Sequence, residues 1–470
     1  MTVAYKSRLN KFGIATLVGL TACAPIYQES ARQPVTLIAG VTIIDPSDGS
    51  ERKDQNILIA GGRITAVGPN SFQLPVGTLL IDGRGKFAIP GLWDMHVHFM
   101  NTGPSALPLY IVNGVTSVRE MGGYIDSTRA WQARMTAGTM IGPRFKTPGP
   151  VLENPRYLAN VRVRDSALGG GRLASRILPY RIGVADSVAA DRAIDSLKSL
   201  HVDFVKFRTV ASKSAYFEIL AAAKRAGLTV AGHLPGVVDV GEASDAGQKS
   251  LEHAFLPVTS TMSDAARKAL YARIAKNGTW YTPTLVVSRE VMMHADSANR
   301  LIWGDDGKRN DPAWPYASEW LLGWWRMQVD ERINQPDTAF ALLRGVYASS
   351  VADVRGLADA GVRILAGTDA GSVLVYPGFS LHDELRLLVE DAKLTPRQAL
   401  WAATLGPAIY FGMEKDLGKI ASGKIADFVL LDADPLANIR NTTRIFGVSK
   451  GGRFFDRAEL DSLRESVRQR

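Results

Sequence analysis

The chain has 470 residues, of which 46% are hydrophobic and 21% are charged, and its formal net charge is +9. This length and balance are typical of a globular protein with a large core, and they exclude a fibrous or intrinsically disordered chain. The basic residues are spread along the sequence and form no stripe interleaved with aromatic residues, so we expect no nucleic-acid partner. The single cysteine, Cys23, excludes an internal disulfide.

Residues 1–23 predict export with a lipid anchor. A basic start without acidic residues is followed at 12–20 by an apolar run that is too short to cross a bilayer as a mature helix. The letters Leu-Thr-Ala-Cys, ending at Cys23, resemble a bacterial lipobox, in which the cysteine is acylated. We therefore expect a tether over residues 24–35 and a body that is anchored to the membrane, in the periplasm or at the outer membrane. An ordinary secretory peptide or a mistaken start codon is the alternative.

Short strand-like runs separated by turn residues occupy residues 36–89 and 412–457. Gly61-Gly62 lies between two alternating runs, NILIA and RITAVG, and predicts a tight hairpin turn. The same pattern of short strand-like runs occurs in KIADFVLLD and RIFGVSK, within residues 412–457. We therefore predict one small β-sandwich domain formed by both terminal segments, followed by a C-terminal tail over residues 458–470.

Residues 90–411 alternate strand-like and helix-like stretches, as parallel βα units do. Helical stretches such as SAYFEILAAAKRAG and VADVRGLADAG end in a glycine that fits the position just after a helix. The pattern predicts an α/β protein whose main domain is a (β/α)₈ TIM-like barrel. The candidate strands, in chain order, are LWDMHVHF, VTSVRE, RFKTPGPV, VDFVKF, LTVAGH, SLEHAF, WYTPTLVV and VRILAGTD.

Two connections, at about 152–184 and 288–340, are longer than a plain βα unit requires. Both follow predicted strands on the side that carries the active site in such barrels, where long loops often form lids or pocket walls. The second connection is rich in tryptophan: Trp303, Trp314, Trp320, Trp324 and Trp325. Two interpretations stay open, a substrate-facing role and the buried side of an added helix.

Two of the seven histidines, His96 and His98, lie two residues apart on the first candidate strand. Successive side chains of a strand alternate between its faces, so these two imidazoles point the same way. Such a pair can chelate zinc or a similar cation. Because the strand is otherwise apolar, an unpaired buried histidine pair would be unfavourable, and metal binding is the better interpretation.

Four further candidate ligands end later strands: Lys206, His233, His253 and Asp369. Each has an ordinary explanation when taken alone, since Asp369 could cap a helix and either histidine could be a satisfied core residue. A lysine at the end of an apolar strand is unusual, because burial of an ammonium group is unfavourable. All these residues lie at one face of the predicted barrel, which favours one shared site.

Taken together, these motifs resemble those of the amidohydrolase superfamily, and the resemblance covers about residues 36–455. The resemblance is carried by IPGLWDMHVHF, the strand-end lysine and single histidines, GTDAG and the terminal GKIASGKIADFVLLD. Within the superfamily, the arrangement is similar to the branch of binuclear peptidases that includes Xaa-Pro dipeptidases (prolidases) and ochratoxin-hydrolysing amidases.

The resemblance implies a site with two divalent cations, for which zinc is the expected metal. His96, His98 and Asp369 would hold one cation, and His233 and His253 would hold the other. Lys206 would carry a carbamate derived from CO₂ and bridge the two. A hydroxide shared by the cations would attack the substrate carbonyl, and Asp369 would transfer a proton to the leaving nitrogen.

Substrate contacts are suggested by residue type. Arg208 and Arg119 could bind a substrate carboxylate, and Tyr281 could donate to the substrate carbonyl. The alternatives are ion pairing of the arginines, with Glu120 or Asp203, and an ordinary strand tyrosine. Peptidases of this branch often carry a histidine after the third strand. The corresponding stretch here, TPGPVLENPRYL, has none, which puts prolidase-type specificity in doubt.

These features predict an enzyme that hydrolyses an amide bond in a small dipeptide or N-acyl amino acid. Hydrolysis of cyclic amides or esters at the same metals is one alternative. A non-catalytic binding lipoprotein on the same scaffold is another, although an intact ligand set argues against it. The sequence is compatible with a homo-oligomer.

Overall fold

The computed structural model describes residues 34–167, 170, 173–253, 259, 261–293, 295–304, 311–330 and 332–468. Cys23 and the predicted signal segment lie outside the described residues. Among the residues that are described, we find no helix with the length and apolar character needed to cross a membrane.

Short strands and helices alternate through most of the chain. The strands are β1 (Thr36–Ile44), β2 (Glu51–Ala60), β3 (Arg63–Gly68), β4 (Leu79–Asp82), β5 (Phe87–Pro90), β6 (Leu92–Val97), β7 (Val115–Glu120), β8 (Arg144–Lys146), β9 (Val151–Glu153), β10 (Arg181–Gly183), β11 (Val205–Phe207), β12 (Val230–Gly232), β13 (Ser250–Glu252), β14 (Trp280–Thr282), β15 (Phe428–Leu431), β16 (Ile445–Lys450) and β17 (Arg453–Phe455). The described α-helices are Phe99–Thr102, Leu107–Val112, Ile125–Thr136, Pro155–Ala167, Leu173–Ile177, Ser187–Ser199, Lys213–Ala226, Val240–Asp245, Asp264–Asn277, Leu285–Val291, Ala295–Trp303, Glu319–Asp330, Asp337–Asp359, Phe379–Glu390, Pro396–Ala402, Leu405–Tyr410 and Arg457–Ser466.

The two terminal segments meet in one mixed sheet with the order β17-β16-β15-β5-β1-β2-β3, and β4 pairs with β1. The predicted Gly61-Gly62 turn joins the antiparallel strands β2 and β3, and both glycines have positive φ angles, of 57° and 79°. Hydrogen bonds join these strands into one eight-stranded sheet, and the packing of this sheet as a sandwich stays a prediction. Strand β5 pairs with β15, so the sheet combines residues 36–90 with residues 428–455.

Most of the remaining strands are parallel and form two further sheets. One has the order β6-β7-β8 and the other the order β10-β9-β11-β12-β13-β14. The first seven candidate strands of the sequence each contain one or two of these strands. The eighth candidate, 362–369, makes isolated parallel bridges instead, from Ile364 to Tyr281 of β14 and from Ala370 to Val97 of β6. This segment therefore connects the outer strands of the two sheets.

The sequence prediction was wrong for the end of WYTPTLVV. Its first three residues form β14, but Leu285–Val291 is a helix. Pro283 has no N–H for a strand ladder, and Thr284 has a φ of 47°, in the left-handed region. The chain therefore turns here, and the apolar residues that resembled a strand are buried in the first turn of a helix.

Helix Lys213–Ala226 shows how local sequence sets the helix ends. The Ser212 side chain accepts a hydrogen bond from the Ala215 N–H, which satisfies one donor of the first turn. The predicted glycine, Gly227, follows the helix with a φ of 75°. Between these ends, apolar residues on one side are buried, including Tyr216 and Ile219. The helix thus covers the parallel strands.

The tryptophans of the second long connection differ in burial, and a substrate-facing role stays a prediction. Helix Glu319–Asp330 buries Trp325 completely, whereas the Trp320 side chain is half exposed. The Trp320 indole N–H donates to the Met100 carbonyl oxygen over 3.0 Å. The helix therefore packs beside the segment that follows β6.

Gly91 provides a test of the junction between the mixed sheet and β6. A Cβ atom at this position would lie 2.1 Å from Thr116 Oγ1, whereas one at Gly68 would meet no atom within 4 Å. We expect Gly91→Ala to lower the free energy of unfolding by about 1–3 kcal/mol because Thr116 is buried and must move. Gly68→Ala is the matched control, with an expected change within about 0.5 kcal/mol. Thermal and urea unfolding of both variants would check this, and equal stability would contradict the close packing.

Candidate metal centre

Three side chains that can bind a metal converge where β6 ends. The Asp369 N–H donates to the His96 carbonyl oxygen over 2.7 Å, which holds the aspartate beside this strand. Asp369 Oδ1 lies 3.0 Å from His98 Nε2 and 3.5 Å from His96 Nε2. One candidate ligand atom from each residue lies within 4.8 Å of the others. This spacing is compact enough for one divalent cation.

A second pair of histidines adjoins these three residues. His233 directly follows β12, and His253 directly follows β13. The ring centroid of His253 lies 4.5 Å from that of His96 and 4.8 Å from that of His233. The predicted histidines are therefore brought together in a continuous group across the ends of neighbouring strands.

Lys206 lies in the middle of β11 with only 2% of its surface exposed. Its strand pairs with β12, where Lys206 is aligned with Ala231. The lysine charge acts on the imidazoles of both His96 and His233 and contributes to lowering their pKa values. The amine is therefore electrostatically coupled to His96 and His233.

Burial keeps the imidazoles of His96, His233 and His253 neutral. It lowers the pKa of His253 to about 4 and the pKa values of His96 and His233 well below the usual value, because the charged form loses its hydration. Neutral imidazole has one nitrogen with a free lone pair, which is the form that binds a metal.

Lys206 and Asp369 respond differently to the same burial. Burial lowers the pKa of Lys206 to about 8, so that part of the amine is neutral in mildly alkaline solution. Burial acts to raise the pKa of Asp369, but the hydrogen bond from His98 stabilises the anion, and the pKa is lowered overall. The carboxylate is therefore ionised and suited to bind a cation.

The backbone is unusual at two of these residues. His253 has a φ of 62° and Asp369 a φ of 63°, both in the left-handed region that side chains other than glycine rarely adopt. Such conformations persist where surrounding contacts impose them, and they are frequent at functional sites. Here they occur directly after β13 and beside the His96 backbone, where each strand end turns.

A divalent cation fits the residues present. His96 Nε2 and Lys206 Nζ are buried, and neither has a hydrogen-bond partner within the part of the chain that the structure describes. An unpaired buried polar atom is unfavourable, so each calls for a further partner. Imidazole nitrogens and carboxylate oxygens are donors that zinc accepts, and His96, His98 and Asp369 supply them.

Glu252, which the sequence pattern did not single out, contacts the His96 ring. Glu252 Oε2 lies 2.9 Å from His96 Nδ1. An ionised carboxylate only accepts hydrogen bonds, so Nδ1 carries the proton and Nε2 keeps its lone pair on the side of Asp369. The available signal was the glutamate in SLEHAF, an acidic residue inside an otherwise buried strand.

The predicted substrate contact of Arg119 is not supported, because this side chain is completely buried. Its Nη2 donates to Glu252 Oε2 over 2.7 Å, and its Nε donates to the Met95 carbonyl oxygen over 2.6 Å. Further bonds go to Ser250, Tyr410 and Thr282. The alternative of ion pairing applies, with Glu252 as the partner rather than Glu120 or Asp203.

Tyr281 is also poorly placed for the role predicted from the sequence. Only 1% of its surface is exposed, and it belongs to the large apolar cluster between strands and helices. The next residue, Thr282, contacts Arg119 in the layer beneath the metal site. Because side chains of neighbouring strand residues alternate, Tyr281 points to the opposite side.

Arg208 is the predicted substrate contact that keeps solvent access, with 30% of its side chain exposed. It follows Lys206 by two residues, beyond the end of β11. Its Nε donates to Glu153 Oε1 over 2.7 Å, and its charge is one of those that lower the pKa of His233. Arg208 therefore lies at the edge of the histidine group.

Comparisons with known proteins find relatives over most of the chain. Imidazolonepropionase of Symbiobacterium thermophilum is 24% identical over 432 residues, which cover 85% of this chain and 89% of that protein. Ochratoxinase of Aspergillus niger is 23% identical over 500 residues and 93% of both chains. The crystal structure of a Xaa-Pro dipeptidase with bound methionine is similar in fold, with a TM-score of 0.66 at 21% identity, over 90% of this chain and 100% of that one.

The model of the Amidohydrolase family matches residues 87–453, which include all six candidate metal ligands. This range spans most of the chain, from β5 to the start of β17. The chain therefore belongs to the amidohydrolase family and is a hydrolase that acts on carbon–nitrogen bonds.

Proposed function

We propose that this chain is a binuclear, metal-dependent amidohydrolase that cleaves an amide bond in dipeptides or N-acyl amino acids. The observation that carries the proposal is the convergence of His96, His98 and Asp369 with two further histidines beside the buried Lys206. One of the similar structures is a Xaa-Pro dipeptidase by name, which supports a dipeptide-like substrate.

We propose that the parallel strands close into a (β/α)₈ barrel around this site. Support comes from the segment 364–370, which bridges β14 on one side and β6 on the other. The Asp203 N–H also donates to the Thr147 carbonyl oxygen over 3.0 Å, which joins the stretch after β8 to the approach to β11. Ligands at the carboxyl ends of the strands would then face one mouth of the barrel.

In the proposed site, His96, His98 and Asp369 would hold one zinc ion, and His233 and His253 would hold the other. Lys206, carboxylated at Nζ, would be a ligand that the two ions share. Carboxylation joins the neutral amine to CO₂ through a new N–C bond and releases one proton. It replaces a buried cation that lacks a hydrogen-bond partner with an anion suited to the metals.

When bound, divalent cations lower the pKa of a water and polarise the substrate carbonyl. Asp369 is the residue that we expect to carry the proton. Its Oδ1 faces the two histidines of β6, whereas Oδ2 accepts a hydrogen bond from Ser372 Oγ over 2.9 Å. Oδ2 would take the proton from the attacking water and return it to the leaving nitrogen as the C–N bond breaks.

The first experiment is a mass-spectrometric screen of the zinc-loaded protein against dipeptides, N-acyl amino acids and cyclic amides. We expect about two zinc ions per chain and release of a free amino acid. His96→Ala should lose zinc and reduce turnover by more than about a hundredfold, since even loss of a residue that only orients a ligand often costs 10–100-fold. The exposed His201 supplies the matched control, His201→Ala, which should retain both zinc and activity.

Several results would contradict the proposal. If only ring-opened products formed, the substrates would be cyclic amides rather than dipeptides or N-acyl amino acids. The screen includes cyclic amides because of the similarity to imidazolonepropionase. Turnover that survives in His96→Ala would exclude chemistry at this site. A chain that binds no zinc and turns over no substrate would favour a non-catalytic binding protein.

Lys206 can be tested separately through its carbamate. We expect ¹³C-bicarbonate to produce a carbamate carbon signal in the zinc-loaded protein, and Lys206→Ala to abolish it together with most zinc binding. Formate or acetate should partly restore zinc binding in this variant, because a small carboxylate can replace the lost oxygen ligands. An unchanged zinc content in Lys206→Ala, measured by atomic emission, would rule out the bridging role.

Glu252→Gln tests how His96 is held. The variant keeps the size of the side chain but no longer enforces a proton on His96 Nδ1, so we expect zinc affinity to fall about 10–100-fold. Zinc titration in the presence of a competing chelator measures this effect. The control is Asp353→Asn, which alters a buried carboxyl group that accepts from Thr259 over 2.9 Å and is not among the predicted ligands. An equal loss in both variants would indicate a general effect of lost stability.

A further inference from the structure

Two arginines share one buried carboxylate beside the histidine group. Glu153 ends β9, and its side chain is fully buried. Its Oε1 accepts from Arg208 Nε over 2.7 Å and from Arg181 Nη1 over 3.3 Å. Its Oε2 accepts from Thr209 Oγ1 over 2.5 Å. Two guanidinium groups therefore face a single negative charge, and one positive charge is left over.

The nearby acid Glu120 does not supply the missing charge directly. Its Oε1 accepts from the Gly122 N–H over 2.9 Å, and its Oε2 accepts from Thr147 Oγ1 over 2.7 Å. Among the described residues, the ion pairs of both arginines go to Glu153. An unbalanced charge in a largely buried place is unfavourable and calls for an anionic partner.

The arginines also have donors that lack acceptors. Arg208 Nη2 and Arg181 Nε are shielded from solvent and have no hydrogen-bond partner in the described part of the chain. Yet the Arg208 side chain as a whole is 30% exposed, against 11% for Arg181. Arg208 is therefore the member of the pair that a molecule entering from solvent can reach.

The Arg208 guanidinium is held in a defined orientation. It lies over the ring of Tyr157, with 3.7 Å from Cζ to the ring centroid. Tyr157 belongs to helix Pro155–Ala167, which begins just after Glu153. The Nε of the guanidinium donates to Glu153, and the backbone N–H of Arg208 donates to the Leu152 carbonyl oxygen over 3.1 Å, which fixes the backbone from which the side chain extends. A planar guanidinium fixed in this way loses little freedom on binding a planar carboxylate.

We propose that Arg208, held by Glu153 and Tyr157 and supported by the charge of Arg181, binds the free α-carboxylate of the amino acid released by hydrolysis. The identity of the carboxylate rests on the proposed amide hydrolysis, because an N-acyl amino acid or dipeptide carries this group close to its scissile bond. Arg208 lies two residues after Lys206, so a carboxylate bound there is near the metal centre. The stretch that lacks a histidine after the third strand supplies Glu153 and Tyr157 instead.

The test uses binding of a carboxylate that has no scissile bond. Isothermal titration of the zinc-loaded full chain would compare 3-phenylpropanoate with the neutral 3-phenylpropanamide. We expect the wild type to prefer the carboxylate, and Arg208→Met to weaken its binding about 10–100-fold while leaving the amide unchanged. Arg208→Lys keeps the charge but not the fork of donors, so its affinity should be intermediate. Arg225→Met, at an exposed arginine paired with Asp191, is the matched control.

The outcomes separate this proposal from the proposed hydrolysis. Selective loss of carboxylate affinity in Arg208→Met, without any turnover by the wild type, would support the carboxylate site and refute the hydrolysis. Unchanged carboxylate affinity in Arg208→Met would place that group elsewhere, for example on zinc, and overturn the site. A parallel loss for both compounds with a lower melting temperature would likewise overturn it, in favour of a structural role. The proposed carboxylate site would also be overturned if the wild type bound 3-phenylpropanoate no better than 3-phenylpropanamide.

Discussion

The ion pair between Arg119 and Glu252 lies directly beneath the candidate metal centre, and neither side chain has exposed surface. Opposite charges that are removed from water persist only where their remaining hydrogen-bonding groups are satisfied. Arg119 reaches acceptors on three strands, through Met95 of β6, Ser250 of β13 and Thr282 of β14. The pair thereby ties together strands that are distant in sequence. Glu252 also contacts His96, which is a candidate metal ligand, so the orientation of this imidazole depends on the same network.

Above this layer, the chemistry depends on groups that burial has deprived of hydration. The imidazoles of His96 and His233 are neutral because a buried positive charge is unfavourable, and Asp369 is ionised because the hydrogen bond from His98 favours the anion. Two of the residues in this layer, His253 and Asp369, have a left-handed backbone conformation. A cation is the natural partner for such a set, since it binds neutral nitrogens and a carboxylate together.

The arginines at the solvent-facing edge of the site differ from the buried Arg119 in their capacity to bind a further group. Arg119 is satisfied by protein groups, whereas Arg208 and Arg181 share one carboxylate and retain unpaired donors. Relatives with 23–24% identity over most of the chain have names that denote different substrates. Residues at this edge, rather than the fold, are therefore where specificity is to be sought.

Much of the candidate site could be predicted from sequence because its signals are local. A histidine pair at a spacing of two, and single polar residues that end apolar runs, identify strand ends without knowledge of the fold. The Gly61-Gly62 turn and Gly227 after its helix were predictable for the same reason, since positive φ values favour glycine. Tyr281 and Arg119 were misjudged because which face a strand residue presents, and which charge lies opposite it, are settled by other segments.

The sequence by itself determined the candidate ligands at the strand ends, the turn and helix boundaries, and the pattern of short strands in both terminal segments. The tertiary structure decided that those ends join in one sheet, that Pro283 and Thr284 turn a strand-like run into a helix, and that Arg119 serves Glu252 while Arg208 stays at the rim. The physical reason is range. Backbone conformation and side-chain alternation act between neighbours in sequence, whereas the pairing of buried charges depends on residues more than a hundred positions apart, such as Arg119 and Glu252.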